Sequence, residues 1–211
     1  MDSVTTASRA RSVHHHDPNI RQRLIDVAMD LFTRHGYSAT SVREIVEGAG
    51  VSKPVLYYHF GCKEGLYLEI MRRLKQTLDE TLGGHRQEGR SARERIRSFG
   101  LGIFDVFSKN TAAVRFLNSV FWGPPQGAPD FDVDSFLEPL MTSMSALVED
   151  GVSRGEFRKR SGPDLSFGLI GALSFAMDFH LAHPDRSPGR EGLARNLGLI
   201  LAGAAGPGLR G

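Results

Sequence analysis

The run TSVREIVEGAGVSKPVLYYHFGCKEGLYLEI, residues 40–70, holds two helix-start signals and two helix stops within a short space. Ser41 and Glu44 have capping-box spacing, so each side chain can satisfy a free backbone N–H at the start of a helix. That helix is predicted to stop at EGAG (47–50). Ser52 is the next candidate N-cap, and Pro54 fits only because it falls in a first turn, where its missing N–H is not needed. The resulting helix is about two turns long, ending at FG (60–61). A longer one follows with Leu66, Ile70, Leu74, Leu78 and Leu82 on one face, broken by GG at 83–84.

Upstream, Ile20, Leu24, Val27, Ala28, Leu31 and Phe32 form a stripe of period 3.6 that DPN (17–19) starts and Gly36 ends. Two short helices joined by a tight glycine turn, after a longer helix, have the order of a helix-turn-helix unit. Leu56 and Phe60, four residues apart, are expected to face its small core opposite Val46 and Ala49. Lys53, Tyr57, Tyr58 and His59 then lie around the rest of the helix, with Lys63 just beyond. Cations and hydroxyl-bearing rings on one short helix suit phosphate and base-edge contacts.

The rest of the chain also reads as helical, near 91–108, 111–122, 132–153, 163–182 and 190–204. The separators are KN, GPPQGAPDFD, GEFRKRSGP and HPDRSPG, and no alternating strand pattern is present. The expected fold class is therefore all-α: an N-terminal three-helix helix-turn-helix domain plus a C-terminal helical domain. The boundaries expected are a flexible arm at 1–17, the DNA-binding unit at 18–63, a linking helix at 63–83 and the C-terminal domain at 84–211. The arm carries three consecutive histidines.

Composition is that of a soluble globular chain, 40% hydrophobic and 24% charged over 211 residues. The net charge is only +2, but residues 1–63 carry 8 Lys/Arg against 6 Asp/Glu, so the excess lies in the first third. A single cysteine, Cys62, rules out an intrachain disulfide and fits a reducing cytoplasm. The N-terminus has no apolar signal region, and FGLIGALSFAM (167–177) is expected to be interrupted too soon to span a bilayer.

The ordered run from Thr40 to Ile70 closely resembles the DNA-binding segment of TetR/AcrR-family transcriptional regulators. The likeness rests on the Thr/Ser start of the second helix, the Gly-Val-Ser turn, the Leu-Tyr-x-x-Phe helix and the Lys-Glu pair opening the fourth helix. It covers roughly residues 20–70, about a quarter of the chain. The resemblance implies a homodimer bound to double-stranded DNA at an inverted-repeat operator. By position, Thr40 and Ser41 would bind phosphate and Arg43 would lie near base edges. Lys53, Tyr57, His59 and Lys63 would hold the backbone, Val55 and Tyr58 would touch bases or thymine methyls, and Ser52 is a further DNA-binding candidate. The family often has Thr or a small polar residue where this chain has Val55.

The last two helices are the dimerisation candidates by resemblance. Gly168, Gly171, Ala172 and Phe175, with Leu197, Ile200 and Leu201, are the expected interface; the same small and apolar faces would also serve as monomer core. Aromatic residues recur at helical spacing. Phe104, Phe107, Phe116, Phe121, Trp122, Phe136, Phe175 and Phe179 are the candidate lining of a pocket for a small apolar or aromatic effector, core packing being the competing use of each. The segment WGPPQGAPDFD (122–132) is expected to border its mouth.

Asp178, His180, His183 and Asp185 lie close in sequence, but their spacing does not put all four on one helix face, and no metal or cofactor is expected. No Ser-His-Asp order, P-loop or dinucleotide fingerprint occurs, so the chain does not read as an enzyme. The function expected is a ligand-responsive, cytoplasmic repressor released from a palindromic operator by a small apolar effector. The alternative is a helix-turn-helix DNA-binding protein without an effector. An apolar cavity above roughly 500 Å³ would favour the first, ligand pockets being about 300–1,000 Å³.

Overall fold

A computed structural model describes residues 18–83, 90–124, 127–159 and 162–205. The expected arm at 1–17 lies outside these residues. Among the described residues the helices are α1 (Pro18–His35), α2 (Val42–Gly48), α3 (Lys53–Phe60), α4 (Lys63–Gly83), α5 (Ala92–Lys109), α6 (Thr111–Phe121), α7 (Asp134–Ser153), α8 (Gly162–Ala182) and α9 (Gly189–Gly203). The fold is all-α, and the predicted segments agree closely with these bounds. The one β-type pairing among the described residues is an isolated bridge between Phe157 and Ala205.

The capping box forms as expected: Glu44 N–H donates to Ser41 Oγ at 3.2 Å, and Ser41 N–H donates to Glu44 Oε2 at 2.7 Å. Gly36 ends α1 at φ +83°, a backbone that favours glycine. Ser91 and Glu94 repeat the same box at the start of α5, a signal present in the sequence as S-x-x-E but not read there.

One core joins α1 to α4, with Leu24, Phe32, Ile45, Leu56 and Leu66 fully enclosed. Burying each such side chain is worth about 1.5–3 kcal/mol. Phe116 and Phe136 belong to this same core. Phe116 packs 6.4 Å from Phe32 and 5.9 Å from Tyr67, so α6 is seated against the N-terminal helices. The second core is built from α5, α7, α8 and α9 around Ile96, Phe99, Met144, Leu169 and Leu197.

Helix α8 corrects one expectation. It runs unbroken for 21 residues at a hydropathy of 1.5, long and apolar enough to cross a membrane by length and composition, with 28% of that window buried. The glycines within 167–177 do not interrupt it, because a helix tolerates isolated glycines at a cost of about 1 kcal/mol each. A single such helix is weak evidence for a membrane location.

Candidate nucleic-acid interface

The turn between α2 and α3 is closed by Ala49 N–H to Ile45 O at 3.0 Å and Val51 N–H to Val46 O at 2.9 Å, with Gly50 at φ +65°. These bonds fix the angle between the two short helices. Val55 and Leu56 anchor α3 in the core at 5% and 0% exposure. The opposite face presents Lys53, Pro54, Tyr57 and Tyr58, positions that recur at the one-and-four spacing of a single helix face. Tyr57 and Tyr58 are 47% and 70% exposed, unusual for rings on so small a helix. Ser52 sits at the N-cap position with extended backbone, yet its side chain makes no cap hydrogen bond.

On α2, Ser41 and Arg43 are exposed. The Arg43 guanidinium pairs with Glu47 at 2.6 Å, on a side chain 75% exposed. Such an exposed pair adds little to stability, so Arg43 can exchange it for another acceptor at little cost.

Four expected DNA contacts need correction or restatement. Thr40 is 1% exposed and its hydroxyl donates to Gly36 O at 2.8 Å, so it is spent inside the fold. Val55 faces the core and not the groove. Lys63 is not a free cation: its ammonium donates to Tyr37 O and Thr40 O, both at 2.9 Å, and lies 4.1 Å from the Tyr37 ring centroid. Burial lowers the Lys63 pKa, against a smaller raising effect of Glu44. His59 is half-buried between Tyr58 and Phe60, with Nε2 enclosed and unpartnered. Pro54, read from the sequence only as a first-turn residue, shares the exposed face.

An apolar cavity of about 260 Å³ lies among α4, α5, α6, α7 and α8. Phe107, Phe121, Trp122 and Phe136 line it as anticipated. Phe104, Phe116, Phe175 and Phe179 do not. Phe104 packs against His180 at 5.4 Å, Phe116 lies in the N-terminal core, and Phe175 pairs with Phe179 at 5.9 Å. The α4 residues Leu74, Thr77, Leu78 and Thr81 line the cavity and were not foreseen, since their stripe reads only as helix packing.

The outward face of α8 and α9 is apolar. Phe167, Phe175 and Leu199 are 75%, 70% and 72% exposed, while Gly168 and Gly171 open onto free space. Ala172 and Ile200 are partly covered. Leu197 and Leu201 are corrected: at 0% and 1% exposure they belong to the core of one chain. Phe167 and Leu199 take their place on the open face; their apolar character was visible in the sequence, but not their direction.

The profile of bacterial regulatory proteins of the tetR family matches residues 24–70. The transcriptional activator FasR of Mycolicibacterium smegmatis is 36% identical over 100 residues, covering 46% of this chain and 44% of FasR. The transcriptional repressor KstR2 of Rhodococcus jostii is 27% identical over 157 residues, covering 71% of this chain and 74% of KstR2. The chain thus spans less than half the length of FasR. Among solved structures, the complex of SmeT with triclosan superposes with a TM-score of 0.67 at 16% identity, over 90% of this chain and 93% of SmeT.

Proposed function

The chain belongs to the TetR family of transcriptional regulators, and on that premise we propose that it is a cytoplasmic, ligand-responsive repressor acting as a homodimer on an inverted-repeat DNA operator. The observation that carries this reading is the α3 face of Lys53, Pro54, Tyr57 and Tyr58, backed by the buried Val55 and Leu56. A rigid two-turn helix with cationic and phenolic groups on one side suits the major groove. Lys53, Tyr57 and the Ser41 and Ser52 hydroxyls hold phosphates; Arg43 and Tyr58 reach base edges. His59 supports the ring of Tyr58 from its half-buried position.

Dimerisation falls to the open face of α8 and α9, where Phe167, Gly168, Gly171, Phe175 and Leu199 bury their apolar surface against a second copy. The effector site is the 260 Å³ cavity, whose wall includes α4, the helix that leads from the DNA-binding helices. SmeT, with its bound triclosan, has the same fold. The chain is read as a binding protein and not as an enzyme.

A DNA-binding protein without an effector is the second reading. The cavity favours it to this extent: 260 Å³ lies below the roughly 300–1,000 Å³ of ordinary ligand pockets. Titration of an operator duplex across a salt series tests the main reading. Lys53→Ala should weaken binding to all duplexes about equally and reduce the salt slope by about one. An unchanged slope removes Lys53 from the interface.

A further inference from the structure

The polar groups of the cavity have a consistent direction. Asp178 is the only charged residue lining it, and no Lys, Arg or His lines it among the described residues. The Asp178 carboxylate accepts from Asn118 Nδ2 at 3.0 Å, a neutral donor, and pairs with no cation among the described residues. Of the other polar side chains, both threonines have committed their single hydroxyl hydrogens and Asn110 one amide hydrogen, while Ser174 is neutral. Thr77 donates to Arg73 O at 3.0 Å, Thr81 to Thr77 O at 2.6 Å, and Asn110 to Val106 O at 2.7 Å. The two threonine hydroxyls are left with lone pairs for a guest.

A carboxylate or phosphate placed here would lose water and meet one negative charge with no cation in the wall. A protonated amine would meet the reverse. Resting on the effector reading above, we propose that this cavity selects compact lipophilic cations, an ammonium group at Asp178 and a hydrocarbon body between Phe107, Phe121 and Phe136. Trp122, exposed and lining the same cavity, supplies an aromatic ring that a cationic guest can approach.

Trp122 is the chain's single tryptophan, so its fluorescence reports occupancy. Three probes with one hydrocarbon cage separate charge from shape: 1-adamantylamine, 1-adamantanol and 1-adamantanecarboxylate, titrated into the full chain at neutral pH, with calorimetry in parallel. The amine should bind roughly ten-fold more tightly than the carboxylate, a difference of about 1.4 kcal/mol. Asp178→Asn keeps the side-chain shape and should bring the amine down to the affinity of the alcohol, leaving the alcohol unchanged. Binding of the carboxylate as tightly as the amine overturns the proposal, as does an amine preference that survives Asp178→Asn. Equal binding of all three defeats this inference and leaves the effector site standing. If none of the three binds, the effector reading fails and takes this inference with it.

Discussion

Lys63 and Tyr37 are joined twice: the ammonium lies 2.9 Å from the Tyr37 carbonyl oxygen and 4.1 Å from the centroid of its ring. The same ammonium reaches Thr40 O, so one side chain at the start of α4 holds the whole turn between α1 and α2. Lys63→Ala should therefore destabilise the chain by about 1.5–3 kcal/mol, the worth of hydrogen bonds to a charged group. Lys63→Met, which keeps the stem over the ring, should recover only the packing share. Denaturant unfolding of both variants measures this. Unchanged stability in Lys63→Ala would return the residue to the role of a free surface cation.

The fold was legible in the sequence wherever a start signal and a stop signal stood at the right distance. Ser41 with Glu44, Gly36, Gly61 and the separators after α5 and α7 placed the helices to within a residue or two. The roll of each helix was harder. In α3, Leu56 and Phe60 mark one edge of the buried half, and each residue advances about 100° around the axis. Val55 falls just inside the buried sector and Tyr58 outside it, a difference the short helix cannot signal. Thr40 and Lys63 were misplaced for another reason: their partners are set by tertiary contacts, with Tyr37 26 residues from Lys63. The same holds for the aromatic residues, since Phe116 joined the N-terminal core and Phe175 the surface only once the helices were packed.

The segment before α7 leans on the N-terminal domain. Gly127 has φ +60°, and a Cβ there would collide with the Ser38 hydroxyl in the turn between α1 and α2. Gly127→Ala should cost about 1 kcal/mol or more through backbone strain and the collision together. Adding Ser38→Gly removes the collision but not the strain, so the double variant should recover part of the loss. Full recovery would show that the left-handed backbone carries no strain, and no loss in the single variant would show that the contact does not form.

The two capping boxes make stability depend on acid. Hydrogen bonds from Ser41 to Glu44 and from Ser91 to Glu94 hold both carboxyls below the ordinary 4.5. A depressed folded pKa means that the contribution is complete above the unfolded value and is lost as pH falls through the folded one. The stability difference between the wild type and Glu44→Gln should therefore be constant above about pH 5 and shrink below 4.5. Thermal unfolding across that range reads it directly; a difference that grows on acidification contradicts the assignment.

Leu199 and Leu201 stand two residues apart and should behave as opposites. Leu199→Asp, on the open face at 72% exposure, should give a folded monomer. Leu201→Asp, at 1% exposure, should unfold the C-terminal helices. Gly171→Arg should act like Leu199→Asp, because among the described residues nothing lies within 4 Å of a Cβ there. Sedimentation together with circular dichroism distinguishes the two classes. An intact dimer in both Leu199→Asp and Gly171→Arg would move the interface off this face.

The central claim is that the exposed face of α3 reads DNA, and selection of duplexes from a random pool tests it most directly. The wild-type chain should enrich one inverted repeat, its half-sites spaced by whole turns of about 10 base pairs. Tyr57→Ala combined with Tyr58→Ala should lose that enrichment while the chain stays folded and dimeric. A wild-type pool indistinguishable from the starting one, or the same repeat enriched by the double variant, would contradict the account.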